Sequence, residues 1–154
     1  MMDGHRLTHI GLCVHDIERS EHFYRSALGF EVVGRMSVDD QATAQLLDVA
    51  NVVLDLVYLQ RDGFRLELLG YRRPGSTGQP GPRPMNSLGF THLSFRVDNA
   101  DALVESVVAH GGRALPGRTV HFGSGNRGLM ATDPDGNLIE LIERTTSADS
   151  VTGS

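Results

Sequence analysis

Polar and apolar residues alternate from Arg6 to Val14 with the two-residue period of a half-buried strand. Asp16 follows where an N-cap belongs. Ile17, Ser20, Phe23, Tyr24 and Ala27 then recur at helical spacing, which predicts a helix to about Leu28 ended by Gly29. Phe30 to Met36 reads as a strand, and Asp39-Asp40 can open a short helix through Leu46-Leu47. Val52 to Leu59 and Phe64 to Gly70 are β-branched and apolar, and the short Arg61-Asp62-Gly63 connection marks a hairpin. Arg72 to Gly89 holds four of the six prolines and little that packs, so a linker is expected over 72–88. Beyond it the order repeats. A strand over Phe90 to Val97 leads to a helix capped by Asp98 or Asn99 and running to His110, then strands near Ala114, Val120 and Leu129 to Ala131. The turn Asp133-Pro134-Asp135-Gly136-Asn137 precedes a last strand, Leu138 to Glu143. The pattern divides the chain into a module over 1–71, the linker, a second module over 89–144, and a small polar tail over 145–154 expected to be disordered.

The two halves are copies. Laying His9 on His92 also superposes Thr8 on Thr91, Val14 on Val97, Gly29 on Gly112 and Gly34-Arg35 on Gly117-Arg118. Laying Glu67 on Glu140 superposes Asp62-Gly63 on Asp135-Gly136, and Leu66-Glu67-Leu68-Leu69 on Ile139-Glu140-Leu141-Ile142. His9 and Glu67 are ten residues further apart than His92 and Glu140, an excess that a loop or short helix in the first copy would hold. Only two copies are present, which favours a closed pair over a solenoid.

The duplicated His and Glu carry the candidate chemistry. A carboxylate in mid-strand among Leu and Ile is costly unless a partner or a metal compensates its charge, and here two stand at equivalent positions, each matched by an equivalent His. His9, Glu67, His92 and Glu140 therefore read as ligands of a divalent metal such as Zn, Ni, Co, Mn or Fe. Two imidazoles and two carboxylates make a harder set than a thiolate zinc site and suit an octahedral ion with open positions. Such an ion polarises an adjacent oxygen, which fits proton abstraction beside a carbonyl with a carboxylate as general base; Glu140 is the expected base and Glu67 its counterpart. No nucleophile elbow, phosphate loop or dinucleotide fingerprint is present.

Composition narrows the class. The 154 residues are enough to bury a core of one domain's size. No apolar run is long enough for a bilayer, and the start of the chain does not read as a signal peptide, so a cytoplasmic protein without a membrane partner is expected. The net charge of −5, with no basic cluster beyond Arg72-Arg73, argues against nucleic acid. All fourteen basic residues are Arg, which reads as codon bias of a GC-rich genome. The lone Cys13, in an apolar stretch, excludes a disulfide framework and is expected to be a small buried residue.

With Thr8-His9-Ile10-Gly11, Phe23-Tyr24 with Leu28-Gly29-Phe30, Leu66-Glu67-Leu68-Leu69, Gly89-Phe90-Thr91-His92 and the stretch Asp133 to Leu141, the chain resembles the vicinal oxygen chelate superfamily over nearly all of residues 6 to 144. That group includes glyoxalase I, methylmalonyl-CoA epimerase, extradiol dioxygenases and antibiotic-resistance proteins. The resemblance implies an α+β fold of two tandem βαβββ modules forming a half-open mixed β-barrel around a metal held by His9, Glu67, His92 and Glu140. It also implies a homodimer acting on a small-molecule substrate. A ligand at the Glu67 position looks more like glyoxalase I or an epimerase than like a dioxygenase or a fosfomycin-type enzyme. Bacterial glyoxalase I has an Arg four residues after its first His and an Asn four residues after the second ligand; these places are Cys13 and Tyr71 here.

The leading expectation is thus a metal-dependent isomerase, epimerase or lyase. The alternatives are a non-catalytic drug- or metabolite-binding resistance protein and an extradiol-type dioxygenase. Asp55, which interrupts an apolar strand, is a candidate second base, although exposure or an Arg partner explains it more simply. His121, Ser124, Asn126 and Arg127 surround a Gly-rich loop that is a candidate substrate contact, and turn chemistry alone also accounts for that loop.

Overall fold

The computed structural model describes residues 4–123 and 125–144, so the tail expected over 145–154 lies outside the described residues. The chain forms two compact units, Met1–Gln79 and Pro80–Ser154. Among the described residues eight strands fall into two four-stranded mixed sheets, and neither sheet is closed into a barrel. The fold is α+β, with a helix and four strands repeated in each unit.

In the first unit β1 (Ile10–Val14) leads to α1 (Ile17–Ser26). The Asp16 carboxylate accepts from the Arg19 N–H at 3.0 Å, which satisfies one of the orphan donors at the helix start. Ser20, Phe23, Tyr24 and Leu28 are fully buried beneath it. Gly29 leaves the helix at φ +67°, and Arg61 donates to the Leu28 carbonyl beside it. Next come β2 (Glu31–Val38), α2 (Gln41–Leu47), β3 (Val53–Arg61) and β4 (Phe64–Arg73). Helix α2, capped by Asp40 at the Thr43 N–H (2.9 Å), takes up the extra residues of the first copy. The β3–β4 hairpin turns on Asp62 and Gly63, both at positive φ as a two-residue type I′ connection requires.

The sheet order is β1-β4-β3-β2, with β1 and β4 parallel and the other pairs antiparallel. The pleat sorts its residues between two faces. Helix α1 covers one of them. A Cβ on Gly70 would lie 2.8 Å from the Cβ of Ile17, so glycine there lets the helix close on β4. On the other face, Val38, Leu54, Leu56, Leu69 and Tyr71 pack with Ala44 and Leu47 of α2. The register puts Gly11, Cys13, Tyr58 and Glu67 on this second face as well. Cys13 is consequently exposed and not buried as expected: the strand turns Ile10, Leu12 and Val14 toward α1 and its alternate residues away.

The second unit repeats the plan with β5 (His92–Val97), α3 (Ala100–Ala109), β6 (Arg113–His121), β7 (Arg127–Thr132) and β8 (Leu138–Glu143) in the order β5-β8-β7-β6. Asn99, not Asp98, caps α3 by accepting from the Ala102 N–H at 2.9 Å. Ala114 and Val120 prove to be two ends of one strand, β6, whose register shifts between Leu115 and Val120 around Pro116-Gly117. The β7–β8 turn is built on the buried Asp133. Its Oδ1 accepts from the Asp135 and Asn137 N–H groups (3.0 and 2.8 Å), and its Oδ2 from Asn137 Nδ2 at 2.8 Å. Gly81, from the stretch expected to be a plain linker, donates its N–H to the Asp135 carbonyl at 2.9 Å and so is held by this turn.

Candidate functional site

Glu67 lies in the middle of β4, with Gly11 opposite it on β1 and Tyr58 opposite it on β3. Its side chain is only 12% exposed. His9, just before β1, brings Nε2 to 3.2 Å from Glu67 Oε2, and its Nδ1 meets the hydroxyl of Thr8 at 3.0 Å. Tyr58 stands beside Glu67, directly opposite it across the β3–β4 pair. Hydrogen bonding to the Glu67 carboxylate, with burial second, pushes the Tyr58 phenol up to about 12, because losing the proton would set two anions side by side. The Tyr58 ring also stands edge-on to the His9 imidazole, with centroids 5.6 Å apart and planes at 75°.

The same pair recurs in the second unit. Glu140 sits in mid-β8, opposite Ser94 on β5 and Met130 on β7. His92 Nε2 is 3.5 Å from Glu140 Oε2, and His92 Nδ1 is 2.8 Å from the hydroxyl of Thr91. Ser94 donates its hydroxyl to Glu140 Oε2 at 2.6 Å. Glu140 is the more open carboxylate, its side chain 32% exposed.

These donors suit a divalent cation. In each pair, Nε2 of the imidazole and a carboxylate oxygen face one another, as two ligands aimed at a common ion would. For Nε2 to give its lone pair to a cation the ring proton must sit on Nδ1, and the threonine hydroxyl behind each ring accepts or donates equally well. The hydroxyl therefore supports either tautomer. Within each unit the structure brings together two donors; among the described residues no group of three or more His, Cys, Asp or Glu side chains gathers as a ready metal centre.

The remaining candidates are placed elsewhere. Asp55 pairs with Gly70 across β3 and β4, on the α1 face and opposite in pleat to Glu67. There it binds Arg72, with Nε 2.8 Å from Oδ2, and accepts from the Ser37 hydroxyl, so the Arg partner explains it. Arg127 faces α3, bonded to Asp101 (2.7 Å) and Glu143 (2.9 Å), whereas Glu140 points to the other side of that sheet. His121 is paired in register with Arg127 on the edge strand β6 and is exposed. Asn126 uses its carbonyl to accept from the Phe122 N–H at 2.9 Å. Ser124 lies outside the described residues. Sequence reasoning missed Tyr58 and Ser94. Ser94 was within reach, two residues after His92 on the same strand and hence on its face, but Tyr58 emerges only from the β3–β4 register.

Cys13 and Tyr71 share the face of Glu67, and the Tyr71 phenol is raised first by burial and then by the nearby Cys13 and Glu67. An apolar surface with a thiol and a phenol thus stands beside the first His–Glu pair.

Residues 6–141 match the Glyoxalase/Bleomycin resistance protein/Dioxygenase superfamily, and the chain belongs to it. A lactoylglutathione lyase of Arabidopsis thaliana is 24% identical over 147 residues, which are 92% of this chain and 45% of that protein, so the chain spans about half the length of this curated relative. Among solved structures, a glyoxalase family protein from Bacillus cereus superposes with a TM-score of 0.78 at 20% identity, covering 93% of this chain and 97% of that one. A genomically encoded fosfomycin resistance protein from Listeria monocytogenes, solved with Mn(II) and sulfate, gives a TM-score of 0.57 at 19% identity over 95% and 96% of the two chains. At these identities the structural likeness establishes the fold.

Proposed function

We propose that this protein is a divalent-metal-dependent isomerase, epimerase or lyase that moves a proton on the carbon beside a chelated oxygen of a small metabolite. His9, Glu67, His92 and Glu140 are its metal ligands in this reading. What carries it is the recurrence, at matched places in both units, of an imidazole Nε2 facing a carboxylate with a threonine hydroxyl behind the ring. A salt-bridge pair retained once by chance is unremarkable; the same four-atom arrangement built twice asks for a shared purpose. A divalent ion bound by these groups supplies charge compensation for the carboxylates and polarises the substrate oxygen.

The chain's own residues divide the remaining work. Glu140, the more accessible carboxylate, takes the proton from the substrate carbon and returns it. Ser94 holds its Oε2, which fixes the direction in which the other oxygen is presented. Glu67, more deeply set, serves chiefly as a ligand. Cys13 and Tyr71 offer no fixed positive charge to a substrate carboxylate, which favours substrates other than a glutathione adduct. Within the range of candidate 2-oxo, 2-hydroxy and acyl-thioester compounds, all carry an acidic C–H beside an oxygen that a metal can chelate.

We further propose a homodimer, since among the described residues β2 and β6 each stand at the end of a sheet, with an edge that a second copy can cover. Elemental analysis of the purified protein, joined to a screen for solvent-deuterium incorporation into those compounds, tests the function. A divalent ion near one per chain with exchange into at least one compound supports it. A protein that binds a metabolite without metal or exchange is a sequestering protein instead, and iron with oxygen consumption on a catechol makes it a dioxygenase.

A further inference from the structure

The two His–Glu pairs are matched in their donors but not in what holds them. Beside Glu140 the parallel neighbour strand carries Ser94 and the antiparallel neighbour carries Met130. Beside Glu67 the parallel neighbour carries Gly11, and the antiparallel neighbour carries Tyr58. Each carboxylate thus has one hydroxyl-bearing side chain directly opposite it, on opposite flanking strands. Tyr58 does more than replace Ser94, because its ring also packs edge-on against His9, so a single side chain touches both donors of the first pair.

We propose that Tyr58 is a positioning residue for the first unit's half of the metal site: its hydroxyl fixes the Glu67 carboxylate, and its ring fixes the His9 imidazole. This rests on the metal-binding reading of the preceding subsection. The physical need is clear from the surroundings. Glu67 is set between Leu66 and Leu68 on a strand where water reaches little of it, so its orientation depends on protein donors. His9 lies before the first hydrogen-bonded residue of β1, where the ladder does not hold its backbone. Without a side chain to brace it, the ring would rotate among several staggered positions. Tyr58 is itself anchored, in mid-strand and packed on Leu54 and Leu56.

A purely structural role for the same ring is separable by experiment. Tyr58→Phe keeps the ring on the apolar cluster and on His9 but removes the hydroxyl. Zn²⁺ titrated calorimetrically into chelator-treated full-length protein is expected to bind Tyr58→Phe about 10–100-fold more weakly than wild type, the usual effect of losing a group that orients a metal ligand. Its thermal midpoint should stay close to that of wild type. The second unit suggests the rescue: adding Gly11→Ser to Tyr58→Phe places a hydroxyl where Ser94 stands beside Glu140. A Cβ at Gly11 lies 3.7 Å from Glu67 Oε2 and 3.1 Å from the terminal methyl Cδ1 of Leu69, which can turn aside. Recovery of most of the lost Zn²⁺ affinity in the double variant supports the assignment. Unchanged Zn²⁺ affinity in Tyr58→Phe overturns it.

A second readout does not depend on metal. In chelator-treated protein the ¹⁵N shifts of the His9 ring report its tautomer and its contact with Glu67, and Tyr58→Phe is expected to move them. Should wild type take up no Zn²⁺, the metal-binding reading fails, and Tyr58 is then judged on this spectrum alone. Altered His9 ring shifts support the positioning role, and unaltered shifts refute it.

Discussion

Ser94 and Glu140 stand directly across the parallel β5–β8 pair, with the serine hydroxyl 2.6 Å from Oε2. A hydroxyl so placed restricts the carboxylate to one rotamer and occupies one of its oxygens. If Glu140 is the base, Ser94→Ala should lower the rate of proton exchange by about 10–100-fold while leaving KM for the substrate nearly unchanged, in line with the ~1.5–3 kcal/mol of a hydrogen bond to a charged group. Glu140→Gln keeps the size and one ligand oxygen but not the basicity, and should cost at least ~10²-fold. Solvent-deuterium incorporation followed by mass spectrometry reads both. Equal activity of Glu140→Gln and wild type would remove Glu140 from the role of base.

The threonines behind the two rings give a separate test. Thr8→Val and Thr91→Val preserve shape and remove the hydroxyl that meets Nδ1. Each is expected to weaken divalent-metal binding by about 10-fold, the lower end for groups that orient a ligating His, with little change in urea stability because both residues are near the surface. Binding unaltered in both variants would mean that the hydroxyls do not orient the rings.

Much of this arrangement was legible because duplication is a property of the residue string itself. The matched Thr-His and Glu-Leu segments located both pairs, the longer first copy announced α2, and Asp62-Gly63 announced its hairpin. What could not be read was set by pairing between distant strands. Asp55 interrupts an apolar run just as Glu67 does, and only the β3–β4 register reveals that it faces α1, where Arg72 meets it. Arg127 was similarly ambiguous until β8 and α3 supplied Glu143 and Asp101. Cys13 was assigned to the core by its apolar neighbours, yet the pleat turns it the other way. Composition of a segment says that one face is buried; which face requires knowing what lies on it.

Gly136 offers a stability prediction from backbone geometry. It adopts φ +92°, and a Cβ there would fall 2.4 Å from the Cα of Gly81. The obstructing atom is backbone, so no rotamer change relieves it. Gly136→Ala should destabilise the fold by about 1–3 kcal/mol, the range for a strained backbone conformation, seen as a lower urea midpoint at unchanged m-value. A midpoint equal to that of wild type would mean that the turn and the Gly81 segment readjust without cost.

The pH dependence of stability should report the end of β8. Glu143 accepts from the Ala100 N–H at the start of α3 (2.8 Å) and from Arg127 (2.9 Å), and these bonds, the helix amide first, hold its carboxyl below the usual 4.5. Glu21 is likewise lowered, with its bond to Arg35 as the largest cause. For a carboxyl whose folded value is depressed, the native state binds the proton less readily than the unfolded chain does. Its stabilisation is therefore complete above the unfolded value near 4.5 and disappears as pH falls through the lower folded value. Glu143→Gln removes the titrating group at similar size. Its destabilisation relative to wild type should be largest at neutral pH, shrink below about pH 4.5, and level off once the native carboxyl is protonated. Thermal melts of the two proteins between pH 7 and pH 3 test the sign, and a difference that grows on acidification would show that the Ala100 and Arg127 contacts do not favour the ionised form.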